Sequence, residues 1–203
     1  AYAIADGFRK AGTRVVMGGV HVSALPEEAL THADSVVIGE AELVWARLLE
    51  DVRRGELQKR YRAERLCDMA RMAIPRRGLL DRGMFGSGFN TLQATRGCPF
   101  NCDYCTVTAF FGNKFRVRPV DTVIEEIKGL GAKEFFFMDD NIAGRPAYAR
   151  ELFEKLIPLN VKWGSQASIT IAKDPELLRL YAKSGGRYAF IGFESLSQKN
   201  LDG

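Results

Sequence analysis

The stretch that decides the fold runs Thr95-Arg96-Gly97-Cys98-Pro99-Phe100-Asn101-Cys102-Asp103-Tyr104-Cys105, and it holds three of the chain's four cysteines. Cys98, Cys102 and Cys105 are separated by three and then two residues, so one short loop can wrap a single inorganic centre. Thiolates are strong ligands for zinc and for iron-sulfur clusters. A closed structural site would want a fourth protein ligand, yet Cys67 lies well upstream and His21 and His32 lie farther still. A [4Fe-4S] cube held by three cysteines keeps one iron open to a small molecule, which is the logic of a catalytic position. The competing structural readings are a zinc knuckle completed by a distant residue and three unligated, packed thiols.

Outward from the loop, composition bounds the rest. The chain has 203 residues with 46% apolar content, enough for one full domain or pieces of two. Twenty-nine basic against 25 acidic residues gives a formal charge of +4 without a run of like charges, so charge gives no support to nucleic-acid binding. Lys59, Arg60, Arg62, Arg76 and Arg77 read as solvated linker residues. No stretch of 18 apolar residues and no signal peptide is present, so a membrane span has no support. Clustered cysteines around a redox centre fit a reducing cytoplasm better than a disulfide scaffold. The first and last residues read as cut from a longer protein.

Taken in order, residues 1–11 place Ala1, Ile4, Ala5 and Phe8 at helical spacing. A strand over 13–17 runs into Gly18-Gly19, Pro26-Glu27-Glu28 opens a helix, and 35–38 form a second strand ending at Gly39. A helix over 40–54 exits at Gly55. This βαβα alternation predicts half of an open parallel α/β domain over 1–58. Residues 59–88 lack periodicity and read as a linker in which Cys67 is a packed thiol and Met84, Phe85 and Phe89 cover the cluster side.

From 89 onward, strands over 89–94, 134–138, 161–168 and 188–193 alternate with helices. Thr122 and Glu125 read as a capping box, and Asp174 reads as the cap of a helix with Pro175 in its first turn. Polar residues gather at strand exits: Asp139, Asp140 and Asn141, then Gln166 and Ser168, then Glu194. Active sites of β/α barrels occupy that face.

The Cys-x-x-x-Cys-x-x-Cys loop, preceded by Arg96-Gly97 and carrying Tyr104 before its last cysteine, resembles the cluster loop of the radical S-adenosylmethionine (SAM) enzymes. Gly18-Gly19-Val20-His21, the Leu-Pro-Glu-Glu segment after it and Ile38-Gly39-Glu40 look like the carboxyl half of the cobalamin-binding domain that precedes many of them. The resemblance therefore implies a partial Rossmann-like cobalamin-binding half-domain followed by a partial radical SAM (β/α)6 barrel over 89–203. Cys98, Cys102 and Cys105 would bind the cluster, and SAM would chelate the open iron beside Tyr104. Asp139, Asp140, Gln166, Ser168 and Glu194 would contact SAM or substrate. Gly18, Gly19, His21, Gly39 and Glu40 would border cobalamin, although ordinary loop hydrogen bonding is the competing reading for His21.

Family chemistry then implies one-electron cleavage of SAM, a 5′-deoxyadenosyl radical, and methyl transfer from cobalamin to an unactivated carbon of a small molecule. Cyclisation or rearrangement, a radical SAM enzyme that has lost cobalamin, and a non-catalytic iron-sulfur electron-transfer or scaffold protein are the alternatives. A reducing partner such as flavodoxin or ferredoxin is implied as well.

Overall fold

Two parallel sheets carry the chain, one in each of the units Ala1–Asp68 and Met69–Gly203. The structure, a computed structural model, describes residues 1–80 and 90–201. The expectation that Met84, Phe85 and Phe89 cover the cluster side lies outside the described residues.

The first unit contains α1 (Tyr2–Lys10), β1 (Val16–Met17), α2 (Val20–Ala24), α3 (Pro26–His32), β2 (Ser35–Ile38), α4 (Trp45–Arg54) and β3 (Arg60–Arg62), with strand order β1-β2-β3, all parallel. Every residue of β2 is buried, as expected for a central parallel strand covered on both faces. Its alternation divides the core: Val36 and Ile38 pack with Val22 and Ala29, while Val37 packs with Leu48 and Tyr61.

Three expectations need correction here. The linker prediction over 59–88 overlooks β3, whose three residues are too short to show periodicity and are held by register against β2 and by Tyr61, whose hydroxyl donates to Asp51 at 2.7 Å. The helix over 40–54 is a short 3-10 turn, Ala41–Leu43, followed by α4. On α1, Ala5 is buried while Ile4 and Phe8 are exposed.

In the second unit, β4 (Asn90–Leu92) is followed by β5 (Thr95–Arg96), α5 (Thr106–Phe111), β6 (Arg116–Val117), α6 (Val120–Leu130), β7 (Glu134–Phe137), α7 (Pro146–Leu156), β8 (Lys162–Gln166), α8 (Pro175–Lys183) and β9 (Gly186–Phe190). The main sheet runs β4-β7-β8-β9, parallel throughout and in chain order, with α5 and α6 between β4 and β7, α7 between β7 and β8, and α8 between β8 and β9. One face of the sheet builds the core, where Phe135, Phe137 and Trp163 meet Ile127 of α6, Leu152 of α7 and Leu177 of α8. The opposite face leaves Tyr188 and Phe190 exposed. Consecutive strands with a one-sided helical layer describe an arc of a β/α barrel rather than a doubly wound sheet. All four strands send their carboxyl ends to the same edge.

Local signals set the helices. Asp174 accepts from the Leu177 amide at 2.9 Å and so caps α8 as expected. The Thr122-Glu125 capping box does not form. Pro119 lets α6 begin at Val120, which leaves Thr122 inside the first turn without a capping bond. Arg60 is exposed as expected, in a surface pair with Glu27 at 2.5 Å, but Arg77 is not a solvated linker residue: it reaches the buried Glu126 at 2.5 Å.

Trp163 is one of the large fully buried side chains of the core, 1% exposed, with ring centroids of Phe153 at 5.1 Å and Tyr181 at 4.4 Å and its indole N–H on the Ser184 carbonyl at 3.1 Å. Trp163→Ala should destabilise the second unit by about 3–5 kcal/mol, as for other fully buried aromatic truncations. Chemical denaturation followed by fluorescence or circular dichroism measures it, and a loss under 1 kcal/mol, on the order of a surface change, would contradict the packing.

Candidate active site

The cysteine loop begins where the chain leaves β4 and pairs briefly with β6 through β5. Its last cysteine directly precedes α5, a helix that the sequence shows only as an apolar run. Gly97, just ahead of the first cysteine, has φ 84 and is packed so that a Cβ would overlap the Lys114 carbonyl oxygen. Only glycine fits this approach, which ties the cysteine loop to the β6 arm. Cys98, Cys102 and Cys105 are half-buried and unpaired, and the Cys105 amide donates to the Cys102 carbonyl at 3.1 Å. Arg96 and Arg116 bracket the Phe111 ring at 6.0 and 5.6 Å.

What fixes the loop from below is the exit of β7. The Asp139 carboxylate accepts the amides of Ala94 and Thr95, and Asp140 accepts the Gly97 amide at 2.8 Å. Asn141 points its side-chain nitrogen at Cys98 Sγ, 3.7 Å away. Three consecutive side chains thus meet successive stations of the segment entering Cys98. Asp139 is fully buried, and its two oxygens face backbone amides rather than open space. That position corrects the expectation of a direct SAM contact: β7 alternation sends residue 139 to the same side as the buried Phe137, toward the helices. Burial pushes the Asp139 carboxyl up to about 7, outweighing the backbone donors that favour its charged form. The Tyr148 hydroxyl, which donates to the Ala94 carbonyl at 3.3 Å, is also raised, by burial first and then by Asp139.

The remaining candidates lie more openly. Tyr104 is exposed, and its phenol is raised by desolvation first, then by the charge of Glu194 and by Cys102. Tyr104 and Glu194 are thereby brought into one electrostatic neighbourhood, although they lie far apart in sequence. Glu194 has φ 57, an uncommon backbone state for a side-chain-bearing residue. Gln166 at the end of β8 is exposed, and the Ser168 hydroxyl bonds to Thr170 while its amide donates to Asn141 Oδ1 at 3.2 Å. Beside β4, a cavity of about 280 Å³ is lined by Gln93, Arg118, Met72 and Met138 among others.

In the first unit, Gly18 and Gly19 follow β1 and Gly39 follows β2, the carboxyl edge where open α/β sheets bind ligands. Gly19 has φ 110 with open space where a Cβ would stand. Ser23, a residue the motif reading passes over, joins both loops: its hydroxyl donates to the Gly19 carbonyl at 2.8 Å and accepts the Gly39 amide at 2.9 Å. His21 Nε2 lies 3.1 Å from both Tyr2 and Glu28, so its loop hydrogen bonding is real. Glu40 is buried and accepts the Cys67 amide at 2.7 Å. No helix among the described residues is long and apolar enough to cross a membrane.

Against known proteins, the model of the radical SAM superfamily matches residues 92–202. The chain is 38% identical to bacteriochlorophyllide d C-12(1)-methyltransferase of Chlorobaculum tepidum, over 97% of the chain and 45% of that protein. It is 34% identical to bacteriochlorophyllide d C-8(2)-methyltransferase of the same organism, over 100% of the chain and 48% of the relative. It therefore spans less than half the length of these relatives. The structure of the radical SAM methyltransferase TsrM from Kitasatospora setae, solved with cobalamin and a [4Fe-4S] cluster bound, superposes with a TM-score of 0.78 over 100% of the chain and 47% of the TsrM chain. At 17% identity this is a likeness of fold.

Two predictions test the anchoring. Asp140→Ala should cost about 1.5–3 kcal/mol, the range for a hydrogen bond to a charged group, and should strip hydrogen-exchange protection from the Gly97 amide. Asp140→Asn, which keeps an acceptor, should retain that protection; equal loss in both variants would show that the bond is not what orders the loop. The second concerns pH. An unfolded aspartate gives up its proton near pH 4, at about 3.9, whereas folded Asp139 holds it to about 7. Between those values the native state binds more protons, so this group's contribution to stability falls as pH rises. Asp139→Asn should flatten the corresponding slope in denaturation midpoints from pH 4 to pH 7, about the span between the two pKa values. A slope unchanged in that variant would place the titration elsewhere.

Proposed function

We propose, from the premise that this chain belongs to the radical SAM superfamily, that it is a radical SAM methyltransferase acting on an unactivated carbon of a small molecule with the help of cobalamin. The observation that carries the reading is the loop of three unpaired thiols, anchored at the carboxyl edge of a parallel sheet. The names of both Chlorobaculum relatives favour a carbon acceptor on a small molecule.

The donor set fits a cluster. Among the described residues, the trio of metal-type ligands whose atoms all come within 4.8 Å of one another is Glu40, Glu42 and Cys67. Cys98, Cys102 and Cys105 are free, half-buried thiols on one loop, and thiolates of this kind are the ligands that hold iron-sulfur clusters. A cube takes each thiolate at a different iron. When bound, the [4Fe-4S] cluster supplies the electron that cleaves SAM, and cobalamin supplies the methyl group.

The protein's part is placement and exclusion. Cys98, Cys102 and Cys105 hold the cluster; Tyr104 offers an exposed ring, and Glu194 and Gln166 offer acceptors for hydroxyl or ammonium groups of SAM. Ser168 presents its hydroxyl from the turn after β8. Met138, Tyr188 and Phe190 give the inner face of the sheet an apolar surface that keeps water from a reactive carbon centre. In the first unit, Gly18, Gly19 and Gly39 leave a lip without side chains against which a flat macrocycle can lie, and His21 and Glu40 border it. A flavodoxin or ferredoxin in the cytoplasm would deliver the electron.

The test is anaerobic reconstitution of the whole protein, metal analysis and an assay with methyl-labelled SAM. Iron and sulfide near four per chain, stoichiometric cobalt and label in an organic product are expected, on the order of one cube and one corrinoid per chain. In Cys102→Ala, 5′-deoxyadenosine formation should fall to background while the chain remains folded. Zinc in place of iron, or undiminished cleavage in that variant, would remove the reading; a full cluster without cobalt would leave radical chemistry and remove the corrinoid.

A further inference from the structure

Asn141 stands apart from the other polar residues at the strand exits. It is 1% exposed, a polar side chain fully buried where the chain leaves β7. Its two amide heads are engaged in opposite directions: Oδ1 accepts the Ser168 amide at 3.2 Å, and Nδ2 faces Cys98 Sγ at 3.7 Å. A backbone N–H can only donate, so the Ser168 contact fixes which end of the side chain is oxygen. The end toward the sulfur must be the NH2 group.

The turn that carries Asn141 is seated hard against the cysteine loop. The Ile142 amide donates to the Gln166 carbonyl at 3.0 Å, which ties the turn to the end of β8. The Gly144 amide donates to the Asn141 carbonyl at 3.0 Å. A Cβ on Gly144 would lie 2.9 Å from Pro99 Cδ and 2.8 Å from the Phe115 ring, so the close approach of the two loops depends on the missing side chain. Residue 99 directly follows the first cysteine.

We propose that Asn141 is a positioning residue that donates an N–H···S hydrogen bond to the Cys98 thiolate ligand and thereby sets the reduction potential of the cluster, with Ser168 holding the amide in its donating orientation. The proposal deepens the radical SAM reading and rests on it. One-electron reduction adds negative charge to the cluster and its sulfurs, and a buried N–H donor stabilises that charge; hydrogen bonds to cluster sulfurs are one of the means by which proteins tune these potentials. The low dielectric around a side chain buried to this degree strengthens the effect.

The experiment uses the whole protein loaded anaerobically with iron and sulfide, without SAM, and titrated by electron paramagnetic resonance in the presence of redox mediators. Asn141→Asp keeps the shape and the acceptor for the Ser168 amide but replaces the donor by a carboxylate. It should retain the parental iron and sulfide content and titrate at a more negative potential. Ser168→Pro is compatible with the local φ of −80 and removes the N–H that orients the amide, leaving Asn141 itself in place. It should shift the potential in the same direction by less. Asn141→Gln offers an NH2 group on a longer arm and should recover part of the shift. Parental potentials in loaded Asn141→Asp and Ser168→Pro would overturn the inference while leaving the cluster assignment intact. If Asn141→Asp fails to hold a cluster, Ser168→Pro decides alone. A parent that takes up no [4Fe-4S] cluster would instead remove the assignment and this inference with it.

Discussion

The polar backbone between β4 and the first cysteine must find partners inside the protein, and almost all of the second unit's carboxyl edge is arranged around that need. The Gln93 carbonyl takes the Arg118 guanidinium at 2.8 Å; the Ala94 carbonyl takes the Arg118 amide and the Tyr148 hydroxyl; the Ala94 and Thr95 amides go to Asp139 and the Gly97 amide to Asp140. Leaving any one of these buried groups unpaired would cost on the order of 1–3 kcal/mol. Because the partners come from the segments just after β6 and β7 and from α7, the cysteine loop is positioned by the folded sheet and not by its own short sequence.

Those partners bring charge into the interior. Glu126 sits between Arg118 and Arg77, 2.6 and 2.5 Å away, with Arg118 and Glu126 each 3% exposed. Burying such a group contributes little net stability once desolvation is counted. Its consequence is geometric: Arg118, held by Glu126 from α6, presents its amide and its guanidinium to consecutive carbonyls leaving β4. The same guanidinium lowers the raised pKa of Tyr148, which Asp139 pushes upward.

The fold was legible where one residue type admits one structure. Pro26, Asp174-Pro175 and the buried run of β2 announced their elements. What escaped was decided by partners distant in sequence. The three residues of β3 acquire strand character from pairing with β2, and the two-residue strands β5 and β6 exist through each other. Glu40, read from its motif as a cofactor neighbour, is also committed to the Cys67 amide, a bond no local pattern encodes. Likewise Arg77 looked like a solvated linker residue because its partner Glu126 lies on a helix whose own pattern gives no hint of a buried acid.

Asp139 and Asp140 show how a signal already present could have been carried further. Polar residues at a strand exit suggest ligand contacts, and on that basis the two acids look equivalent. The burial pattern of β7 says otherwise, since its period of two continues past the last hydrogen-bonded residue: Phe135, Phe137 and Asp139 are buried, while Met138 is exposed and Phe136 and Asp140 are partly so. Parity alone sends Asp139 inward, where a carboxylate persists only with donors around it. The adjacent amides of Ala94 and Thr95 are those donors. An inward acid at the exit of a barrel strand thus organises the neighbouring loop, whereas exposed exit residues such as Gln166 and Glu194 remain available to a ligand, and the distinction follows from counting residues along the strand.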